Sequence, residues 1–127
     1  MIIHIEPQSE IPIYTQITHQ IIEGIARGLL RPGSTLPSVR AFAADLGINM
    51  HTVNKSYHQL EKKGIIRIVP KSGAVILPQD ELVQKGSTER PRLVEQFKPV
   101  IAEAMVLGLD RREIDELISS VITALKE

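Results

Sequence analysis

Leu36–Gly64, LPSVRAFAADLGINMHTVNKSYHQLEKKG, reads as two short helices joined by a tight turn, and the rest of the chain is organised around it. Pro37 suits a helix entrance, where its missing N–H leaves no partner wanting. From Ser38 onward the apolar residues Val39, Phe42, Ala43 and Leu46 fall at i, i+3, i+4 and i+7, a single buried stripe. Gly47 stops this helix, and Asn49 suits the N-cap of the next, its side-chain oxygen accepting an orphan backbone N–H. The second helix, about 50–62, has two faces. Val53, Ser56, Tyr57 and Leu60 continue the inward stripe. His51, Asn54, Lys55, His58 and Lys62 share a face that carries hydrogen-bonding groups and cations but no carboxylate.

Working outward, the period changes after Gly64. Ile65–Val69 is rich in β-branched residues and predicts a strand; Pro70-Lys71-Ser72-Gly73 predicts a turn, and Ala74–Leu77 a returning strand ended by Pro78. An isolated hairpin is marginal in water, so this one has to pack on the helices. A helix–turn–helix followed by such a wing can place its second helix in a DNA major groove, with Lys71 near phosphate or the minor groove. A plain helical hairpin with a solvated outer face and an ordinary surface hairpin satisfy the same spacing. Upstream, Pro12 opens a helix to about Leu29, with Ile13, Ile17, Ile21 and Ile25 four apart, and the Arg31-Pro32-Gly33 turn follows. Residues 1–10 read as an extended arm.

Residues 79–88, QDELVQKGST, are polar and read as a linker or the frayed start of a helix. The helical period returns from about Arg90, with Phe97, Ile101 and Met105 among its apolar positions. Pro99 sits inside this pattern and should kink or divide the helix. Gly108 ends it, and Asp110–Glu113 has the form of a capping box. In the last helix Ile114, Leu117, Ile118, Val121, Ile122 and Leu125 form one stripe. Two helices alone cannot cover two such stripes. A second copy would cover them as a twofold four-helix arrangement; folding back on the chain's own first domain is the other solution. The expected organisation is therefore a mainly α chain with a small β-hairpin: a winged helix-turn-helix over 1–78 and a two-helix dimerisation tail over 79–127.

Composition bounds the function. With 127 residues and no cysteine there is no disulfide framework or thiol chemistry, and an intracellular setting is consistent with that. The N-terminus lacks a signal-peptide pattern, and no apolar run reaches the ~20 residues needed to cross a bilayer, so a cytoplasmic protein is expected. Net charge is zero, yet it divides: residues 1–78 hold eight cations against five anions, and residues 79–127 hold seven against ten. That asymmetry fits a basic binding half. The histidines His4, His19, His51 and His58 are scattered without metal-ligand spacing, and no nucleophile elbow or phosphate-cradling glycine loop occurs, so neither an enzyme, a metal nor a cofactor is expected.

Taken together, Ile13-Tyr14-x-Gln16-Ile17, Leu30-Arg31-Pro32-Gly33, Leu36-Pro37-Ser38-Val39-Arg40, Asn49-x-x-Thr52-Val53 and Leu60-x-x-x-Gly64-Ile65-Ile66 resemble the winged-helix domain of GntR-family bacterial transcription regulators. The short helical tail, in place of a large effector-binding domain, is similar to the YtrA subfamily, whose tails serve dimerisation and whose members often regulate transporter operons. The resemblance implies a homodimeric regulator, expected to be a repressor, on a near-palindromic double-stranded operator. It implies that Arg40 contacts DNA, that Asn49 and Thr52 hold a phosphate at the start of the recognition helix, and that His51, Asn54 and Lys55 meet base edges or backbone. Lys71, Ser72 and Gly73 form the wing tip. Three positions depart from the family pattern. Met50 stands where arginine is frequent and can at most touch a thymine methyl; Asn54 also replaces an arginine but can read adenine in bidentate fashion; Lys71 replaces the first wing glycine. A winged helix used only for protein contact is the rival reading, and nothing in the sequence identifies an effector.

Overall fold

The computed structural model of the chain describes residues 2–127, which form α1 (Ile13–Ala26), β1 (Thr35–Leu36), α2 (Val39–Leu46), α3 (Met50–Lys62), β2 (Ile66–Val69), β3 (Gly73–Ile76), α4 (Gln79–Val106) and α5 (Arg111–Lys126). The N-cap expected at Asn49 is made, and Ser38 supplies a second one. The Ser38 hydroxyl accepts from the Ala41 N–H at 3.1 Å, and the Asn49 side-chain oxygen Oδ1 accepts from the His51 N–H at 2.7 Å. Gly47 closes α2 with φ 68°, a left-handed conformation that a Cβ would strain.

The inner faces of α1, α2 and α3 meet the sheet in one core. Ile17, Ile21, Val53, Tyr57, Leu60 and Ile76 are fully buried, each worth ~1.5–3 kcal/mol on an area basis. Two polar contacts lock this packing. The Thr18 hydroxyl donates to the Tyr14 carbonyl at 2.9 Å and lies 2.8 Å from the Ser56 hydroxyl. A hydroxyl has one proton, so Ser56 is the donor of that buried pair. The Tyr57 hydroxyl donates to the Pro37 carbonyl at 2.7 Å, and its ring packs tilted against Phe42 with centroids 6.2 Å apart. Burial pushes the Tyr57 phenol well up from its ordinary value, which keeps it a neutral donor.

The arm before α1 is extended as expected, and α1 holds it. The Gln16 side chain accepts from the Glu6 N–H at 2.8 Å and donates to the Glu6 and Ile11 carbonyls; the Gln20 side chain exchanges both bonds with His4. Each carboxamide thus stands in for a neighbouring strand's peptide group, and Ile3 and Ile5 pack on the core.

The sheet has three antiparallel strands in the order β1-β3-β2, one more than the expected hairpin. Its added strand, β1, is two residues long, too short to leave a period in the sequence. Thr35 pairs with Val75 and Leu36 with Ala74, while Val69 pairs with Gly73 across the wing. Gly73 thus belongs to β3 and not to the turn. It runs so close to β1 that a Cβ there would lie 2.5 Å from the Leu36 carbonyl oxygen. The edge strand β2 is partly capped: Glu61 at the end of α3 accepts from the Ile68 N–H at 2.8 Å.

One expectation is corrected, and two that were open are resolved. Helix α1 ends at Ala26 and not near Leu29, because the N–H groups of both Leu29 and Leu30 turn back to the Gly24 carbonyl. Residues 79–88 take the second of their two expected forms, the start of a helix and not a linker, and of the kink or division expected at Pro99 the division is absent. They belong to α4, which runs unbroken through Pro91 and Pro99. Asp80 and Glu81 favour the N-terminal end of that helix, and Leu82 packs on the core of the first unit. Each proline removes a single intrahelical bond, and Gln, Glu, Lys, Leu and Arg around them are good helix formers.

The chain divides into two compact units, Met1–Val83 and Gln84–Glu127. In the second, Gly108 and the Asp110–Glu113 capping box separate α4 from α5. Within that unit only Ala104 and Ile114 are buried, and Phe97, Met105, Leu117, Val121 and Ile122 remain exposed.

Gly73→Ala should lower stability by about 2–4 kcal/mol in denaturant unfolding, since a backbone carbonyl cannot yield to the new methyl. Gly47→Ala, with open space around its Cβ, should lose only about 1 kcal/mol, from backbone strain. Equal losses at the two sites would refute the close approach at Gly73.

Candidate nucleic-acid interface

Burial of Val53, Ser56, Tyr57 and Leu60 sets the rotation of α3 and leaves His51, Asn54, Lys55, His58 and Lys62 in solvent. Met50 is also exposed and Thr52 partly so, in a first turn that carries no acidic residue. The Asn49 side chain is already committed to the His51 N–H and its carbonyl accepts from the Thr52 N–H at 3.0 Å, so the start of α3 is ordered without a ligand. The positive end of the helix dipole at this terminus favours an anion. The one carboxylate of α3, Glu61, is bonded to the Ile68 N–H, which directs it to the sheet and away from the cationic face. Arg40, in the first turn of α2, is exposed.

Lys55 is held from below. Its ammonium lies 4.3 Å from the centroid of the Tyr14 ring, a cation–π contact from α1 to α3. In the sequence Tyr14 stands beside the apolar stripe of α1 and within the family motif at its start, and neither points to Lys55; a tyrosine and a lysine many residues apart carry no local signal of their meeting. Glu61 and the Gln16–Gln20 clasp escape sequence reading for the same reason.

The wing tip is a turn closed by the Ser72 N–H on the Val69 carbonyl at 3.0 Å. Pro70 takes its second position and Lys71 its third with φ 68°, a place usually given to glycine. Lysine at this position therefore carries ~1–2 kcal/mol of steric strain. Lys71 and Ser72 are exposed. Gly73 is buried against Leu36 and Pro37, so its part in the wing is to let the turn close onto β1. Of the tail positions, Ile101, Ile118 and Leu125 are partly buried and Ile114 is packed inside its own unit. Among the described residues no group of His, Asp or Glu is arranged to hold a metal ion, and no helix is long and apolar enough to cross a membrane.

The arrangement is an exposed cationic helix face flanked by a basic wing, suited to the backbone and base edges of duplex DNA. Known proteins agree. The family described as "Bacterial regulatory proteins, gntR family" matches residues 13–76. The chain is 35% identical over 126 residues to the HTH-type transcriptional repressor YtrA of Bacillus subtilis, a match spanning 98% of this chain and 95% of that protein. Among solved structures, a transcriptional antiterminator from Listeria monocytogenes superposes with a TM-score of 0.81 at 28% identity, covering 100% of this chain and 94% of that one. YtrA from Sulfolobus acidocaldarius, a GntR-family transcription factor, is 41% identical with a TM-score of 0.63, covering 80% of this chain and 99% of that one.

Lys71→Asn replaces a strained residue by one that tolerates the left-handed region and removes the tip charge. Its melting temperature should stay level or rise slightly, while DNA binding weakens. The slope of log affinity against log salt should fall by about one for each phosphate that the wing no longer neutralises. A thermal melt and a salt titration check the two halves independently.

Proposed function

The chain belongs to the gntR family of bacterial regulatory proteins, and on that premise we propose that it acts as a homodimeric repressor on a near-palindromic operator. It is a DNA-binding transcriptional regulator of the short-tailed YtrA kind. In this reading α3 enters the major groove, Arg40, Asn49 and Thr52 fix its register on the backbone, and His51, Asn54 and Lys55 face base edges or nearby phosphates. Met50 offers only an apolar contact to a thymine methyl, and Lys71 and Ser72 reach the backbone from the wing.

The observation that carries the DNA contacts is the cation-bearing face of α3, cleared of its one carboxylate. The support for a dimer is the row of exposed Phe97, Met105, Leu117, Val121 and Ile122 on the tail helices, with Ile101, Ile118 and Leu125 half-covered beside it. Isologous packing of two tails would bury these residues together. A dimer reads two half-sites, so the centres of the operator halves should lie about one turn, ~34 Å, apart or a multiple of it.

Arg40→Ala should weaken binding to the DNA upstream of the protein's own gene by about tenfold or more in a gel-shift titration, with melting unchanged within ~0.5 kcal/mol. Affinity equal to the parent's would remove Arg40 from the contacts. If the parent itself fails to shift that DNA at low salt, the rival winged-helix protein-interaction role takes precedence.

Leu117→Asp places a charge on an exposed position, so the chain should stay folded. Sedimentation at micromolar concentration is expected to show the parent as a dimer and the variant as a monomer. A monomeric parent would sink the dimer.

A further inference from the structure

Lysine is a flexible cation on a four-carbon stem, and ordering it on binding costs rotamer entropy. In this chain the Lys55 ammonium rests on an aromatic ring. The buried Ser56–Thr18 hydroxyl pair ties the residue after Lys55 to α1, and the Thr18 hydroxyl is bonded in turn to the carbonyl of Tyr14. That linkage sets the register of α3 on α1 and brings the Tyr14 ring under the Lys55 ammonium, 4.3 Å from its centroid. The choice of partner matters. A carboxylate would restrain the ammonium as well, but it would cancel the charge that attracts a phosphate and compete for its donors. A ring face restrains it and leaves the full charge in place.

We propose that Tyr14 is a positioning residue for operator binding, holding the Lys55 ammonium in place for a DNA phosphate through its ring face. The inference rests on α3 being the helix that reads DNA. Tyr14 acts here through Lys55, by its ring and not by its hydroxyl.

The test is a double-mutant cycle on the full-length chain, titrated by fluorescence anisotropy against duplex DNA from upstream of its own gene at several salt concentrations. Lys55→Ala should weaken binding about tenfold and shallow the salt slope. Tyr14→Phe should bind within twofold of the parent. Tyr14→Leu should weaken binding about two- to fivefold per half-site with the parent's salt slope, since the charge is still there. The double variant should bind no more weakly than Lys55→Ala alone. Tyr14→Met, which keeps apolar bulk without a π face, repeats the arm if Tyr14→Leu melts early. Additive losses in the cycle, or a Tyr14→Phe as weak as Tyr14→Leu, would overturn the positioning role. A Lys55→Ala variant that binds like the parent would instead remove Lys55 from the DNA contacts, a different failure.

Discussion

Tyr57 has to bury a large ring in a small core and still find an acceptor for its hydroxyl, and the Pro37 carbonyl at 2.7 Å meets that need. An unpaired buried hydroxyl would be expensive, so the entrance of α2 is held against α3 by a bond and not by apolar contact alone. Phe42 packs on the ring from α2, and the Thr18–Ser56 pair fixes the other side of α3 to α1. With both flanks determined, the outward face of α3 has one orientation. The side chains proposed to meet DNA are therefore presented by a packed scaffold, and binding need not supply that packing.

The wing depends on the same region. Gly73 lies against the carbonyls of Leu36 and Pro37, immediately beside the carbonyl that Tyr57 uses. One short segment, Leu36-Pro37-Ser38, thus pairs with β3, accepts the tyrosine bond and caps α2. That concentration explains why a two-residue strand persists: it is supported by neighbours on three sides and needs little length of its own.

The tail follows a different rule. Helices α4 and α5 bury only Ala104 and Ile114 and expose most of the aliphatic surface they carry. Large exposed apolar patches on a folded chain mark surfaces that meet something, and the acidic balance of residues 79–127 suits a surface other than the DNA-facing one. A dimer formed through these separate helices, as proposed, would let the first unit keep its core small and its outer surface polar.

Much of this was legible in the residues taken in order. The inner stripe Val53-Ser56-Tyr57-Leu60, the caps at Gly47 and Asn49, the wing and the capping box at Asp110 all rest on interactions within a few residues, and such interactions write a period or a motif into the sequence. The family motifs extended that reading to the function. What escaped has the opposite character. The strand at Thr35–Leu36, the clasp of Gln16 and Gln20 on the arm, the turning aside of Glu61 and the ring of Tyr14 beneath Lys55 each join residues distant along the chain. Their identities say what each group can bond to but not which partner it meets. The continuity of α4 through Pro91 and Pro99 also escaped, because a proline's local penalty is read from one position while a helix is stabilised over its whole length. The sequence by itself determined which faces are buried and which carry charge. Only the tertiary structure decided which distant groups pair across them, since those pairings depend on the register of one element on another.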